Sequence, residues 1–385
     1  MEEPKVKDNS IIFTFNNLFL STDAKRLEYR EISQEETRLI HWGQRKLLLS
    51  EIEFFTLFWN ENQVPNPICV YAGAAPGIHI PILSSLFPSF VFHLYDKEEF
   101  KIQETDRIKI FKEYFTNEKA KEYSNRQDVF FISDIRRTGL KELKTEVEKE
   151  KAKELNEKMS WEDKLSQQNW VLLMNPIHAL LKFRLPYPLD RKDKKERYLR
   201  GVVLWQPWNR LSGETRLVPM KNKDHEYEVG DWSTLEYEQW CFYHNIVERQ
   251  QNFYKNIFTN TNEPIDGQEL LNDFDSTLEA YILKLYFTKI GLSANEIYQH
   301  VKNLSRVIST NLGKKLSELR QDKIKKSVLD PFRPKEPEPA INPAIVTSMA
   351  KESPKLKLVV QKPPEPPQRK VKLVVLPKQV PKIPK

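Results

Sequence analysis

The chain has 385 residues, with 61 Lys and Arg against 54 Asp and Glu and only two cysteines, Cys69 and Cys241. That length suits one large domain or two small ones, and two isolated cysteines exclude a disulfide framework and a cysteine-type zinc site and point to a reducing compartment. The polar start, Met1 to Ser10, lacks a signal-peptide pattern and no apolar run is long enough to span a bilayer, so a soluble intracellular protein without membrane contact is expected.

In chain order, Gly43-Gln44-Arg45-Lys46 opens a strongly apolar segment, Leu47 to Trp59, predicted to be a helix. Ile68 to Ala72 is an apolar run of strand type. It leads into Val70-Tyr-Ala-Gly73-Ala-Ala-Pro-Gly77, a glycine turn followed by a predicted helix over Ile78 to Phe87. Strand, glycine turn and helix form the first βα unit of a nucleotide-type site. Gly73 would let backbone approach a ligand, and Gly77 would let helix and strand pack closely. Pro76 has no N–H to add to a phosphate nest, which argues against a Walker loop and a standard dinucleotide fingerprint. The turn better suits S-adenosylmethionine; the alternative is a purely structural turn. Val91 to Tyr95 is a second strand ending at Asp96. An acid there holds a ribose diol or caps a helix.

Farther on, Val129 to Ser133 is a strand ending at Asp134. Thr145 to Lys164 is rich in Glu and Lys at helical spacings and is read as a solvated helix or insertion without assigned function. Val171 to Met174 is predicted as a strand ending at Asn175-Pro176, with Lys182 shortly after. Val202 to Trp205 is another strand, and Glu214 precedes the apolar pair Leu217-Val218. The alternation predicts an α/β fold with a mostly parallel sheet, in which ligands bind beyond the carboxyl ends of strands. Two lysines and two acids, Lys46, Asp134, Lys182 and Glu214, therefore become candidates for one pocket, although spacing alone does not bring them together. Residues 264–330 look helical, with Leu270, Leu271, Leu278, Tyr281, Ile282, Leu285 and Tyr286 on an apolar face. Residues 331–385 hold 12 Lys or Arg, 4 Glu and 13 of the 25 prolines. That excess accounts for all of the net charge of +7. This tail is predicted to be disordered. Its near-duplicate segments, Lys355 to Val360 and Lys370 to Val375, suit pairing on a sheet edge, its lysines suit RNA, and a merely solubilising role is the alternative.

Four motifs occur in order: Gly43-Gln44-x-Lys46-Leu-Leu-Leu, Gly-x-Ala-Pro-Gly-x-His-Ile at 73–80, Ile132-Ser-Asp-Ile-Arg136, and Asn175-Pro through Leu-Lys182-x-Arg-x-Pro-x-Pro188. Together they make the chain resemble the poxvirus cap-specific mRNA nucleoside-2′-O-methyltransferase family, which also serves as the small regulatory subunit of the viral poly(A) polymerase. The resemblance runs from about residue 25 to 250, more loosely to 325, and leaves out the tail. It implies a Rossmann-like class I methyltransferase fold over residues 1–330, followed by the tail at 331–385. It further implies S-adenosylmethionine as cofactor, m7G-capped RNA as substrate, a viral poly(A) polymerase catalytic subunit as partner, and the host cytoplasm, with the virion, as location. Its catalytic tetrad maps onto Lys46, Asp134, Lys182 and Glu214. Its cofactor contacts fall on Gln44, Gly73, Gly77 and Asp96, with Tyr71 a further candidate. The aromatic pair that sandwiches the methylated guanine falls on Tyr187 and Tyr29, and the acid that reads the guanine edge on Glu238. No metal is implied. Three positions depart from the family pattern. Leu189 stands where an acid contacts the cap, with Asp190 one place late; Leu211 replaces an aromatic; and Glu98 replaces a basic residue.

Overall fold

A computed structural model describes residues 10–319 apart from 22, 31–42, 125, 138–145, 189, 191, 210 and 314. All of these fall in the first of two units, Met1–Pro334. The proline-rich tail and the departure at Leu189 lie outside the described residues.

Seven strands form the central sheet: β1 (Ile68–Ala72), β2 (Val91–Tyr95), β3 (Ile108–Phe111), β4 (Val129–Ser133), β5 (His178–Phe183), β7 (Gly201–Leu204) and β8 (Thr215–Pro219). Their order is β3-β2-β1-β4-β5-β8-β7. The first five run parallel, while β8 is antiparallel to both β5 and β7. Two further strands, β6 (Lys195–Leu199) and β9 (Val229–Ser233), pair separately. The chain leaves β1 outward to β2 and β3 and returns to β4 on the other side. The crevice beyond the ends of β1 and β4 is thus a topological switch point, where such sheets bind ligands.

Helices cover the sheet: α1 (Gly43–Phe58), α2 (Ile80–Leu86), α3 (Asn117–Glu122), α4 (Glu146–Met174) and α5 (Thr234–Tyr243), which passes through a π turn at His244–Glu248 into the short α6 (Arg249–Gln251). The last described helices are α7 (Phe274–Lys289), α8 (Ala294–Asn311) and α9 (Leu316–Leu319). The core beneath the switch point is aromatic. Phe55 of α1 lies 4.3 Å from Phe90 and 6.0 Å from Phe130, ring to ring. Such rings carry large buried areas and favour the edge-on and tilted contacts seen here.

Two sequence expectations are corrected. Val171–Met174 is the last turn of α4, not a strand. Val171 and Met174 are fully buried while Leu172 is 46% exposed, a helical spacing that a four-residue apolar run cannot declare by itself. Asn175, at φ 47°, closes the helix in the left-handed conformation that Asn tolerates. The parallel strand begins at His178, which places Lys182 inside β5. Leu270 and Leu271 precede α7, whose buried face includes Leu278, Ile282 and Tyr286.

Candidate active site

Three strand ends and one helix bring the charged residues together. Asp134 follows β4, Lys182 lies next to the end of β5, Glu214 precedes β8, and Lys46 sits in the first turn of α1. Lys182 Nζ is 3.2 Å from Asp134 Oδ1 and 3.5 Å from Glu214 Oε2. Lys46 Nζ donates to Glu214 Oε1 at 2.5 Å and to Asn209 Oδ1 at 3.3 Å. Arg216, not anticipated from the sequence, donates from Nη2 to Asp134 Oδ1 at 2.7 Å. Its signal was local: Glu214 and Arg216 are two residues apart at the start of a strand and so share a face.

Burial opposes charge on both acids, yet the surrounding cations win. Lys182 and Arg216 hold the Asp134 carboxyl below the usual range, and Lys46, Lys182 and Arg216 hold Glu214 well below it. Burial lowers Lys46, and Glu214 offsets part of that shift. The result is a closed chain of ion pairs with Lys182 at its centre.

The expected cofactor residues line the neighbouring switch point. Gly73, at φ 80°, also packs against the chain itself: a Cβ there would meet Ile135 N at 2.8 Å, in the backbone just past β4. Gly77 adopts φ 70° against Ile102 and Phe100. Asp96 Oδ2 accepts from Ala75 N at 3.1 Å and Oδ1 from Glu98 N at 3.0 Å. It therefore braces the glycine turn, and a loop follows it, so it caps no helix. Gln44 Oε1 lies 2.8 Å from His79 Nδ1. Tyr71 departs from expectation. It is fully buried and donates its hydroxyl to Glu51 Oε1 at 2.8 Å, so it supports the wall from beneath and presents no surface to a cofactor. Glu51 also meets His79 Nε2, which links Tyr71 to Gln44 through a buried polar chain.

α5 connects the candidate cap residues. Tyr29 packs edge-on against Phe242 at 5.1 Å, beside Leu211, which fills the position of the missing aromatic. Glu238, 6% exposed, stands one helical turn before Cys241 and Phe242. Tyr187 is 36% exposed. Its hydroxyl borders Gly213, which Cys241 also borders. Glu98 ion-pairs with Lys97 on the surface.

The segment read as solvated is the largest correction. α4 closes the site. Glu157 pairs with both terminal nitrogens of Arg184, at 2.8 and 2.9 Å, and accepts from Tyr187 N at 3.2 Å. Arg184 in turn lies 4.3 Å over the Tyr187 ring, a cation–π arrangement. Asp163 accepts from Arg137 Nε at 2.5 Å, and Gln167 donates to Lys182 O at 3.2 Å. Glu157, Ser160, Lys164 and Gln167 recur at helical spacing on one face. That stripe was the available signal, masked by the many exposed charges around it. The resulting cleft, about 460 Å³, is lined by Arg136, Arg137, Lys164, Lys182, Arg184 and Glu214 among others.

Comparison with known proteins agrees with this architecture. Residues 9–316 match the family described as poly A polymerase regulatory subunit. The cap-specific mRNA (nucleoside-2′-O-)-methyltransferase of fowlpox virus (strain NVSL) is 26% identical over 245 residues, covering 61% of this chain and 75% of that one. The protein of the same name from myxoma virus (strain Lausanne) is 30% identical over 250 residues, covering 58% and 67%. Among solved structures, the RNA-capping protein VP4 of bluetongue virus aligns over 60% of this chain and 38% of its own with a TM-score of 0.30 and 14% identity, too distant to carry any argument.

Proposed function

The chain belongs to the poly(A) polymerase regulatory subunit family, and from that premise we propose that it transfers a methyl group from S-adenosylmethionine to the ribose 2′-OH of the first transcribed nucleotide of m7G-capped mRNA. The observation that carries this reading is the position of Lys182, held between Asp134 and Glu214 at the mouth of a cleft beside the switch point.

The residues present fit the cofactor. Asp96 offers carboxylate oxygens at the end of β2, where a ribose diol is held in such folds, and the turn it braces opens onto the same crevice. The bound cofactor supplies an activated methyl on a sulfonium. The protein's own task is then to orient a poor nucleophile and ease its proton away. Lys182 stabilises the alkoxide that develops on the ribose oxygen. Asp134 and Glu214 fix the position of Lys182, Lys46 balances Glu214, and Arg216 fixes Asp134. Tyr187 and Tyr29 supply ring faces for a cationic N7-methylguanine, a contribution of roughly 0.5–2 kcal/mol, and Glu238 accepts from the guanine edge.

The deciding experiment follows label from S-adenosylmethionine into three short RNAs: N7-methyl-capped, unmethylated-capped, and N7-methyl-capped already carrying the 2′-O-methyl. Label on the first alone, lost in Lys182→Ala, is the expected result. No label on any of them, with the cofactor still bound, overturns the proposal. The family description, poly A polymerase regulatory subunit, supports a second, compatible role, which we propose is that of a processivity subunit of a viral poly(A) polymerase in the host cytoplasm. Stimulation of that polymerase by the full chain, lost when residues 331–385 are deleted, would support it and give the tail its use.

A further inference from the structure

The cations lining the cleft, and the two behind it, Lys46 and Arg216, are not equally provided for. Lys46, Lys182 and Arg216 share Asp134 and Glu214. Arg184 has Glu157, and Arg137 has Asp163 and Glu162. Among the described residues, Lys164 and Arg136 line the same cleft without a carboxylate partner. Lys164 is only 3% exposed, and its Nζ finds one hydroxyl, Ser160 Oγ, at 3.3 Å. A buried ammonium with a single neutral acceptor is costly. Lys164 nevertheless comes from the face of α4 that is clamped on both sides of it, by Glu157 to Arg184 and by Gln167 to the β5 backbone.

We propose that Lys164 and Arg136 form a phosphate-binding subsite of the cleft, contributed in part by α4, that takes a phosphate of the RNA substrate while its ribose lies at Lys182. The assignment of the ligand as RNA rests on the function proposed above. A phosphate would give Lys164 the anionic acceptor the protein withholds, and Arg136 would close on it from the exposed side. The charged groups facing Lys164 are Asp163 on its own helix, Lys182 on β5, Arg184 just beyond it, Glu214 before β8, and Arg136 and Arg137 after β4. Burial first, and then Lys182 and Arg184, lower the Lys164 amine to about 8. A bound phosphate favours the protonated form, so binding above that pH takes up a proton and weakens as pH rises.

The test is fluorescence anisotropy, without methyl transfer, on the full-length wild type and on Lys164→Met, Lys164→Arg and Arg136→Ala. The probes are an N7-methylated cap dinucleotide, a capped ten-nucleotide RNA and the same RNA uncapped. For the phosphate-contacting probe, Lys164→Met should weaken binding about tenfold, as for a lost charged hydrogen bond. Each of Lys164→Met and Arg136→Ala should also reduce the slope of log affinity against log salt by about 0.7. Wild-type affinity should fall between pH 7 and 9, and the always-charged Lys164→Arg should not follow. Equal losses on the dinucleotide assign the phosphate to the cap bridge; losses on the longer RNAs alone assign it to the backbone 3′ of the reacting ribose. Unchanged slopes in both Lys164→Met and Arg136→Ala, with RNA still bound, overturn the subsite. The exposed Arg136 variant keeps the test open should Lys164→Met not fold. Failure of wild type to bind any probe would instead count against the RNA-modifying function itself.

Discussion

The strand ends and α4 meet at one cleft but treat charge in opposite ways. At the ends of β4, β5 and β8, each charged group is answered by another, and the register of the sheet sets every distance. On α4, the charges follow a helical stripe, some clamped and one left with only a hydroxyl. A self-satisfied cluster keeps its geometry before substrate arrives, which suits the group that must be aimed at a reacting atom. A wall with uncompensated charge gains its partner on binding, which suits recognition.

This contrast can be tested from both sides. The largest effect should come from the strand ends. Asp134→Asn removes the carboxylate shared by Lys182 and Arg216 and is expected to lower kcat by about 10²–10⁴-fold, the range for a positioned proton-handling group, with S-adenosylmethionine affinity retained in calorimetry. Loss of cofactor binding alone would contradict the assigned role. Next comes Arg45→Met. Arg45 and Glu279 form a buried pair at 2.5 Å, further bonded to Ser305 and Ser309, and stranding Glu279 should cost about 3–5 kcal/mol in denaturant unfolding.

Gly73→Ala forces a Cβ toward the Ile135 backbone at positive φ and should cost about 1–3 kcal/mol of strain, with cofactor affinity falling in parallel. A smaller effect is expected on the α4 side: Glu157→Gln loosens Arg184 over Tyr187 and should raise KM for capped RNA several-fold with little change in kcat. If kcat falls instead, α4 belongs to the aiming apparatus and the contrast dissolves. The acid limb offers a last check. Asp134 and Glu214 have lowered pKa values in the folded protein, so their stabilisation is complete above the ordinary carboxylate pKa and is lost as pH falls through the folded values. The Asp134→Asn and Glu214→Gln variants should show a flatter loss of stability on acidification than the wild type.

The same contrast explains what could be read from the sequence. Strand ends are legible because an apolar run followed by Gly73, Asp96 or Asp134 marks both the element and the end that opens on the crevice. The motifs around Lys46, Asp134 and Lys182, and the family resemblance at Glu214, then named the residues that come together there. The cleft-facing stripe of α4 was hard to read because its residues are charged like their exposed neighbours. Only packing distinguishes Glu157 and Lys164 from the lysines and glutamates around them. The full burial of Tyr71, and the close packing of Gly73 on the backbone after β4, depend on which face of β1 meets α1 and β4, and alternation alone does not say which face that is.

Three consecutive residues of α1 hold three different offices. Gln44 turns to His79, Arg45 to Glu279 of α7 and Lys46 to Glu214. Successive helical side chains diverge by about 100°, so one helical phase aims all three at once. Inserting or deleting a single residue within that first turn would misdirect the switch-point wall, the anchor and the ion-pair cluster together. Any shortened version of the protein that stops before α7 would also remove the residue against which that phase is set. The C-terminal helices are thus the datum from which the ion-pair cluster around Lys182 is measured, although among the described residues none of their side chains enters it.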